Sequence, residues 1–420
     1  MADNKDKKVL NVPALRFPEF TEEWKRIKVS DLLDFYSTNS LSWEQLEYES
    51  NEPYNLHYGL IHVGLPTIID LTKDKLPSIK DGNVPKKYEL CKEGDIAFAD
   101  ASEDTNEVAK VVEFYNLDGK KVVCGLHTIH GRNNNGQTAK GFLGYCFSST
   151  VFHNQIRRIA QGTKIYSINT RNFSEVFVGL PSMNEQQKIA TLLRLMDERI
   201  ATQNKIIEKY ESLIQAMCDT LIEKETQQVT LSFSDFGQSY SGLSGKSAED
   251  FGEGYPYITY MNVYQNQIID STDIGLVKIK ETEQQSVVRY GDILFTLSSE
   301  TPEEVGMGAV YLGETYPLYL NSFCFGIHIT DKAKIYPPFL AYYVSSQSFR
   351  KAVYPLAQGS TRFNLQKSDF MKKRFSFPVI EKQRKIYSIL KAYSDKLIVE
   401  KLIMRLLCNQ KCYLLRQLFI

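Results

Sequence analysis

The sequence predicts an α+β protein in which two similar mixed α/β units are joined by a pair of long antiparallel coiled-coil helices. The first observation behind this is an internal repeat. Around Gly94 the chain reads GDIAFADASEDTNEV, and around Gly291 it reads GDILFTLSSETPEEV, an offset of 197 residues. The same offset relates FLGYCFSS from Phe142 to FLAYYVSS from Phe339, AQGT from Ala160 to AQGS from Ala357, and Phe173 to Phe370. It also relates PSMNEQQKIA from Pro181 to PVIEKQRKIY from Pro378. Repeats of 20–50 residues make solenoids, whereas a period near 200 marks a duplicated domain.

The second observation is a change of period after Pro181. Apolar residues fall at Ile189, Leu193, Met196, Ile200, Ile207, Tyr210, Ile214, Met217 and Leu221, spaced 4-3-4-3 around one polar position, Gln203. That is a heptad seam. The second copy keeps the phase with Ile386, Leu390, Tyr393, Leu397, Glu400, Met404, Leu407, Lys411, Leu414 and Leu418. Each helix of about 40 residues would be on the order of 60 Å long and could not bury its stripe alone. The repeat supplies each with a mate, and an antiparallel pair would hold the two units apart. Gln203 and Glu400 occupy the same layer and are expected to be either register-setting or merely partly exposed.

In order along the chain, residues 1–14 are polar and expected to be flexible. Residues 15–181 form the first unit, 182–227 the central helix, 228–378 the second unit and 379–420 the C-terminal helix. Segments such as GDIAFA, VVRYGDILF and AVYLG read as strands, and GFLGYCFSSTVFHNQIRRIA reads as one helix. The end of the second seam, LLRQLFI, is expected to be exposed.

Composition narrows the function. Lysine plus arginine and aspartate plus glutamate both number 50, so the formal charge is zero, which argues against a generic nucleic-acid binder. Basic residues are nevertheless concentrated. Arg157, Arg158, Lys164 and Arg171 stand without an acid between residues 154 and 174, and seven basic residues face one acid between 350 and 374. Acid gathers in SWEQLEYESNE from Ser42 and DASEDTNE from Asp100. The seven cysteines are odd in number and scattered, which suits reduced thiols in a cytoplasmic interior. No secretory leader and no membrane-length apolar run is read.

Catalytic motifs are not found. SGLSGKS (241–247) resembles half a phosphate loop, but Tyr240 stands where its first glycine is needed. NEPY (51–54) departs from the Asn-Pro-Pro-Tyr loop of amino-methyltransferases at Glu52 and is read as a turn. His127 and His130 lie three apart with no third ligand in sight, so no metal site is expected and the run is read as strand. What remains is the repeated basic loop, AQGTKIYSI (160–168) and AQGSTRFNL (357–365), each following an amphipathic helix. Glutamine can read adenine, hydroxyls can bond bases or phosphates, and glycine lets a backbone approach a phosphate. A helix-terminating turn uses the same residues.

Two half-similar domains, each ending in P-x-x-x-E/K-Q-x-K-I and a heptad helix, resemble the specificity subunit of type I restriction-modification systems. RFPEF (16–20), GLSGKS, YITYMNVY (257–264) and the paired AQGT and AQGS loops carry the same resemblance, over nearly the whole chain. It implies two target recognition domains, each reading one half of an interrupted double-stranded DNA sequence, with the helices as the spacer. It further implies two methylation subunits holding S-adenosylmethionine and restriction subunits using ATP and Mg, with no cofactor or catalysis in this chain itself. The candidate DNA-contacting residues are Arg157, Arg158, Gln161, Thr163 and Lys164, then Lys351, Gln358, Ser360, Thr361 and Arg362. Ser299 and Thr301, with Ser102 and Thr105 in the first copy, are secondary candidates. YNLHYGLIHV (54–63) differs from YPYITYMNVY (255–264), so the half-sites should differ. The alternatives are a stand-alone DNA methyltransferase, which lacks its motifs, and a coiled-coil adaptor that binds protein only.

Overall fold

A buried strand follows each GDI turn, Ile96–Ala99 and Ile293–Thr296, where Gly94 and Gly291 take left-handed backbone (φ +87° and +89°); residues 287–290 of VVRYGDILF, read as strand, are irregular chain. The computed structural model describes residues 11–48 and 52–420. Residues 1–10 of the N-terminal segment, Asn51 of NEPY and part of the acidic run after Ser42 lie outside those described. The chain divides into two units, Met1–Asn204 with Ile403–Ile420, and Lys205–Leu402.

In the first unit a five-stranded sheet has the order Asp34–Tyr36, Thr128–Arg132, Ile96–Ala99, Val111–Asn116, Ile68–Asp70. The second unit repeats four of these positions as Gly237–Ser241, Cys324–Ile329, Ile293–Thr296 and Gly308–Val310. The registers agree: Thr128 faces Ala99, Cys324 faces Thr296, and Ala99 and Thr296 are the same repeat position. Each unit also has a smaller sheet around a parallel pair, Leu56 beside Cys124 and Ile258 beside Leu320. Buried phenylalanines fill both cores, with Phe98, Phe147, Phe152 and Phe173 in one and Phe233, Phe295, Phe349 and Phe370 in the other.

The stretch read as one helix after Gly141 is two, Phe142–Phe147 and Thr150–Ile159. Ser149 breaks it, because its hydroxyl accepts the Phe152 N–H and caps the second helix. Ser346 does the same for Gln347–Val353.

The long helices are Met183–Glu223 and Ile380–Gln417. The first begins in the first unit and ends in the second; the other does the reverse. Within the first unit Asp197 pairs with Lys411, and within the second Glu211 pairs with Lys401, so the two run antiparallel. Ile189, Leu193, Ile214, Ile386, Leu390 and Leu414 are buried, and Met196, Ile200, Ile207, Leu397, Met404 and Leu407 are half-buried. Gln203 and Glu400 are 1% and 7% exposed, so neither is the partly exposed layer that a polar seam residue allows. LLRQLFI is also not an exposed end: Leu414, Leu418 and Phe419 enter the first core, where Phe419 meets Trp24 edge-on.

The P-x-x-x-E/K-Q motif is the joint between sheet and helix. Gln186 accepts the Ala139 N–H (2.8 Å) and donates to the carbonyls of Gln137 and Pro181. Gln383 accepts the Tyr336 N–H (2.8 Å) and donates to Lys334 and Pro378, the same three positions. The residue before it reverses sign together with its partner. Arg16 of RFPEF forks onto buried Glu185 (2.7 and 2.8 Å), whereas Glu225 meets Lys382 (3.1 Å). About three helical turns further, Tyr145 donates to Asp197 and Tyr342 to Ser394, each at 2.9 Å.

Candidate nucleic-acid interface

The two AQG loops are tight hairpin ends. Gln161 exchanges both backbone hydrogen bonds with Ser167, and Gln358 pairs with Asn364 at the same repeat position. Gly162 and Gly359 have φ of +139° and +134°, and a Cβ there would lie 1.9 Å from the Ile165 carbonyl oxygen or 2.1 Å from that of Arg362. The loop's own backbone therefore requires the glycine, so its retention in both copies has a structural cause. The returning strand pairs with the segment after the GDI strand, Tyr166 with Ser102 and Phe363 with Ser299. Loops and secondary candidates, about 60 residues apart in sequence, thus share one edge in each unit.

The candidates do not all stand alike. Gln161, Thr163 and Lys164, like Lys351, Gln358, Ser360, Thr361 and Arg362, are exposed, and the side chains of Gln161, Thr163 and Lys164 make no hydrogen bond or ion pair among the described residues. Arg157 reaches the 102–107 loop through Asn106 (2.9 Å), but Arg158, on the next helix position, lies in a different recess with Arg26 and Ile420. Ser299 is buried, and both its hydroxyl and that of Thr301 donate to Glu304 (3.2 and 2.9 Å). Those hydroxyls and Tyr264 hold the Glu304 carboxyl below the ordinary range. Ser299 and Thr301 are therefore committed to local structure. Thr105 is half-buried, and the Ser102 hydroxyl accepts the Asp104 N–H. Arg350 of the basic run is tied to the carbonyls of Glu303, Val305 and Gly306.

Sequence reasoning missed the floor of the site. In the first unit a cleft of about 660 Å³ runs beside the loop, lined by Tyr58, His62, Glu107, His127 and Ile165 among others. Tyr58 meets the His127 ring edge-on, and His62 lies 3.7 Å from Glu107. The second unit repeats the strip with other chemistry. The registers above make Tyr260, Tyr264 and Phe323 the counterparts of Tyr58, His62 and His127, and the 197-residue offset adds Glu304 and Arg362 for Glu107 and Ile165. Tyr260 and Tyr264 stack at 5.9 Å, Tyr264 bonds Glu304, and Arg362 lies over the exposed Phe323 ring at 5.8 Å. Aromatic faces, a carboxylate and a cation offer stacking, a cytosine-type acceptor and a phosphate or guanine contact. The signal was present in the unlike segments 54–63 and 255–264, but only register shows which of their residues face the loop.

The other motifs have local uses. Lys246 of SGLSGKS pairs with Glu283 and donates to the Lys278 carbonyl. The pair His127 and His130 is separated by the strand: His127 faces the cleft beside Asp100, and His130 is buried beside Cys91 and Cys124, a third-ligand set that sequence spacing did not disclose. Among the described residues no helix is long and apolar enough to cross a membrane.

Comparison with known proteins agrees with this geometry. The family model for the type I restriction modification DNA specificity domain matches twice, at residues 74–212 and 231–406. The EcoKI specificity subunit of Escherichia coli K12 is 24% identical over 185 residues, 40% of this chain and 39% of that one. The MjaX chain of Methanocaldococcus jannaschii, provisionally named a type I restriction enzyme specificity subunit, is 23% identical over 91% of this chain and 89% of its own. The fold resembles the S subunit of the type I restriction-modification system from M. genitalium, with a TM-score of 0.53 at 18% identity, covering 97% of this chain and 99% of that one. It also resembles a chain solved in work on complex assembly and conformational transition of the type I R-M system, with a TM-score of 0.59 at 15% identity, covering 93% and 96%. A site built twice on a duplicated fold, matched twice by one family model over most of its length, leads to one assignment: the chain belongs to the type I restriction-modification DNA specificity family.

Proposed function

We propose that this chain is the sequence-reading subunit of a type I restriction-modification complex, and that each unit reads one half of an interrupted double-stranded DNA target. The observation that carries the proposal is the duplicated strip. The same five positions beside the same loop hold Tyr58, His62, Glu107, His127 and Ile165 in one unit and Tyr260, Tyr264, Glu304, Phe323 and Arg362 in the other. Equal placement supports a common task, and unlike chemistry supports unlike half-sites. Lys164, Arg157, Lys351 and Arg362 supply phosphate contacts, and Gln161, Thr163, Gln358, Ser360 and Thr361 lie where loop tips meet a groove.

In this reading the helix pair sets the number of unread base pairs, and the chain itself is not catalytic. Two methylation subunits bring S-adenosylmethionine, and restriction subunits bring ATP and Mg. An exposed apolar stripe on the C-terminal helix, Ile398, Leu402, Leu406 and Tyr413, supports a protein-docking role for that surface. The test is methylome sequencing of a host that expresses this chain with its methylation subunit, against the same host lacking it. A chain-dependent interrupted motif with unlike halves is expected. No chain-dependent methylation from a confirmed complex would leave the protein-only adaptor as the better reading.

A further inference from the structure

We infer that Cys91, Cys124 and His130 form a binding site for one thiophilic cation of the zinc class inside the first unit. The two sulfurs lie 3.5 Å apart, and the three ligand atoms all fall within 4.8 Å of one another. An ion with zinc-like bonds of about 2.0 Å to nitrogen and 2.3 Å to sulfur places its ligands roughly 3.3–3.8 Å apart. A modest contraction of the trio meets that geometry.

His130 supplies the second, independent observation. It is fully buried, and its Nε2 lies 2.8 Å from Asp95 Oδ2. Asp95 also receives the Arg132 guanidinium at 2.8 Å from both Nε and Nη2, so its carboxylate is an acceptor and Nε2 carries the imidazole proton. Nδ1 is then the lone-pair nitrogen, and it has no hydrogen-bond partner among the described residues. A buried acceptor without a partner is costly. A histidine that donates one ring nitrogen to a carboxylate, keeps the other unbonded and clusters with two sulfurs has the parts by which proteins orient a metal ligand. Charge also balances: two thiolates and a neutral imidazole match a divalent ion, while Arg132 answers Asp95.

The second copy is an internal control. Val288, Leu320 and Gly326 stand where the first copy has Cys91, Cys124 and His130, and the Tyr240 ring fills the space over Gly326. The second copy keeps the bond to the aspartate, the Tyr240 hydroxyl donating to Asp292 (2.8 Å) as His130 Nε2 does to Asp95, but it has neither the two sulfurs nor a second ring nitrogen. The ligands come from three segments, and a bound ion would tie the strand that ends in Cys124 to the strand that leads from His127 out of the cleft. A fourth zinc ligand would be solvent or backbone.

The test uses the full chain in its methylation complex, purified without a metal-affinity column and under reductant. Elemental analysis should find about one zinc per chain, lost in the Cys91→Val/Cys124→Leu double variant, which installs the second copy's residues. Cobalt(II) loading of the wild type should give a sulfur-to-cobalt charge-transfer band in the near ultraviolet, absent from the variant. Wild-type protein with free thiols that takes up neither zinc nor cobalt would overturn the site. Zinc retained by the variant, or a Cys91–Cys124 disulfide found by non-reducing peptide mass spectrometry, would do the same. The wild-type readouts decide the matter even if the variant does not fold.

Discussion

The two units solve the same structural problems with different residues, and where they differ the difference is compensated nearby. Glu113 in the first unit is buried and accepts the N–H groups of Gly141 and Gly144 (2.5 and 2.7 Å), closing the start of the helix Phe142–Phe147. Its counterpart in the second unit is Val310, and there Pro337 and Pro338 open the helix Pro337–Tyr343. Proline has no N–H to satisfy, so no carboxylate is needed. The joint with the spacer likewise keeps an ion pair while exchanging its signs, Arg16 with Glu185 against Glu225 with Lys382. By contrast Gln186 and Gln383 are unchanged, because three backbone groups at fixed positions ask for one donor-acceptor side chain. The recognition strip instead changes chemistry at each of its exposed positions while keeping its place beside the loop, as a reading surface would.

Breaking the sign-exchanged pair should have the largest effect. Glu185→Lys leaves two cations at a buried position and should destabilise the first unit by about 3 kcal/mol or more. Adding Arg16→Glu should recover most of the loss and so imitate the second unit. A urea melt of both variants measures this; no recovery in the double variant would refute the equivalence of the two joints. Next, Gln383→Ala removes three hydrogen bonds at a fully buried position, and a cost of about 2–3 kcal/mol is expected in the second unit, with Gln186→Ala giving the same in the first.

The Glu113 difference can be sharpened by pH. Burial pushes its carboxyl up to about 7 from 4.5, so between those values the folded first unit holds a proton that the unfolded chain has released. The contribution is complete below about pH 4.5 and is lost as pH rises through 7, on the order of 3 kcal/mol in all. Thermal melts across that range should show this slope in the wild type and lose it in Glu113→Gln. An unchanged slope in the variant would assign the effect to other groups. Smallest of all, Lys164→Ala should leave melting unaltered, weaken DNA binding alike on all sequences, and lower the salt slope by about one.

Much of the architecture was legible because duplication prints itself as a fixed offset and a heptad as a fixed spacing. The duplicated units and the antiparallel helix pair follow from those two signals, whereas the AQG segments, marked by repetition but read as basic loops or helix-terminating turns, are hairpin ends. The exceptions are instructive. Ser149 splits a run whose apolar pattern continues through it, because capping depends on one hydroxyl rather than on period. Leu418 and Phe419 look like a fraying end, yet the first core lacks a wall without them. Within the site, the loop residues were legible from repetition, while His62, His127 and Phe323 were not: the copies there are offset by 202 and 196 residues rather than 197, so a constant-offset alignment steps past them. Gly162 and Gly359, conversely, are fixed by a loop carbonyl and say nothing of DNA.

If equivalent strips in the two units read separate half-sites, rewriting one strip should change one half of the target alone. The direct measurement is methylome sequencing of a host carrying the methylation subunit with either the wild-type chain or a His62→Tyr/His127→Phe variant, which writes part of the second strip into the first unit. One half of the methylated motif should change, with discrimination altered by about 1–3 kcal/mol at the affected base pairs, while the other half and the spacing stay as they were. A variant that altered both halves, or that kept the wild-type motif at full occupancy, would contradict separate reading by the two strips.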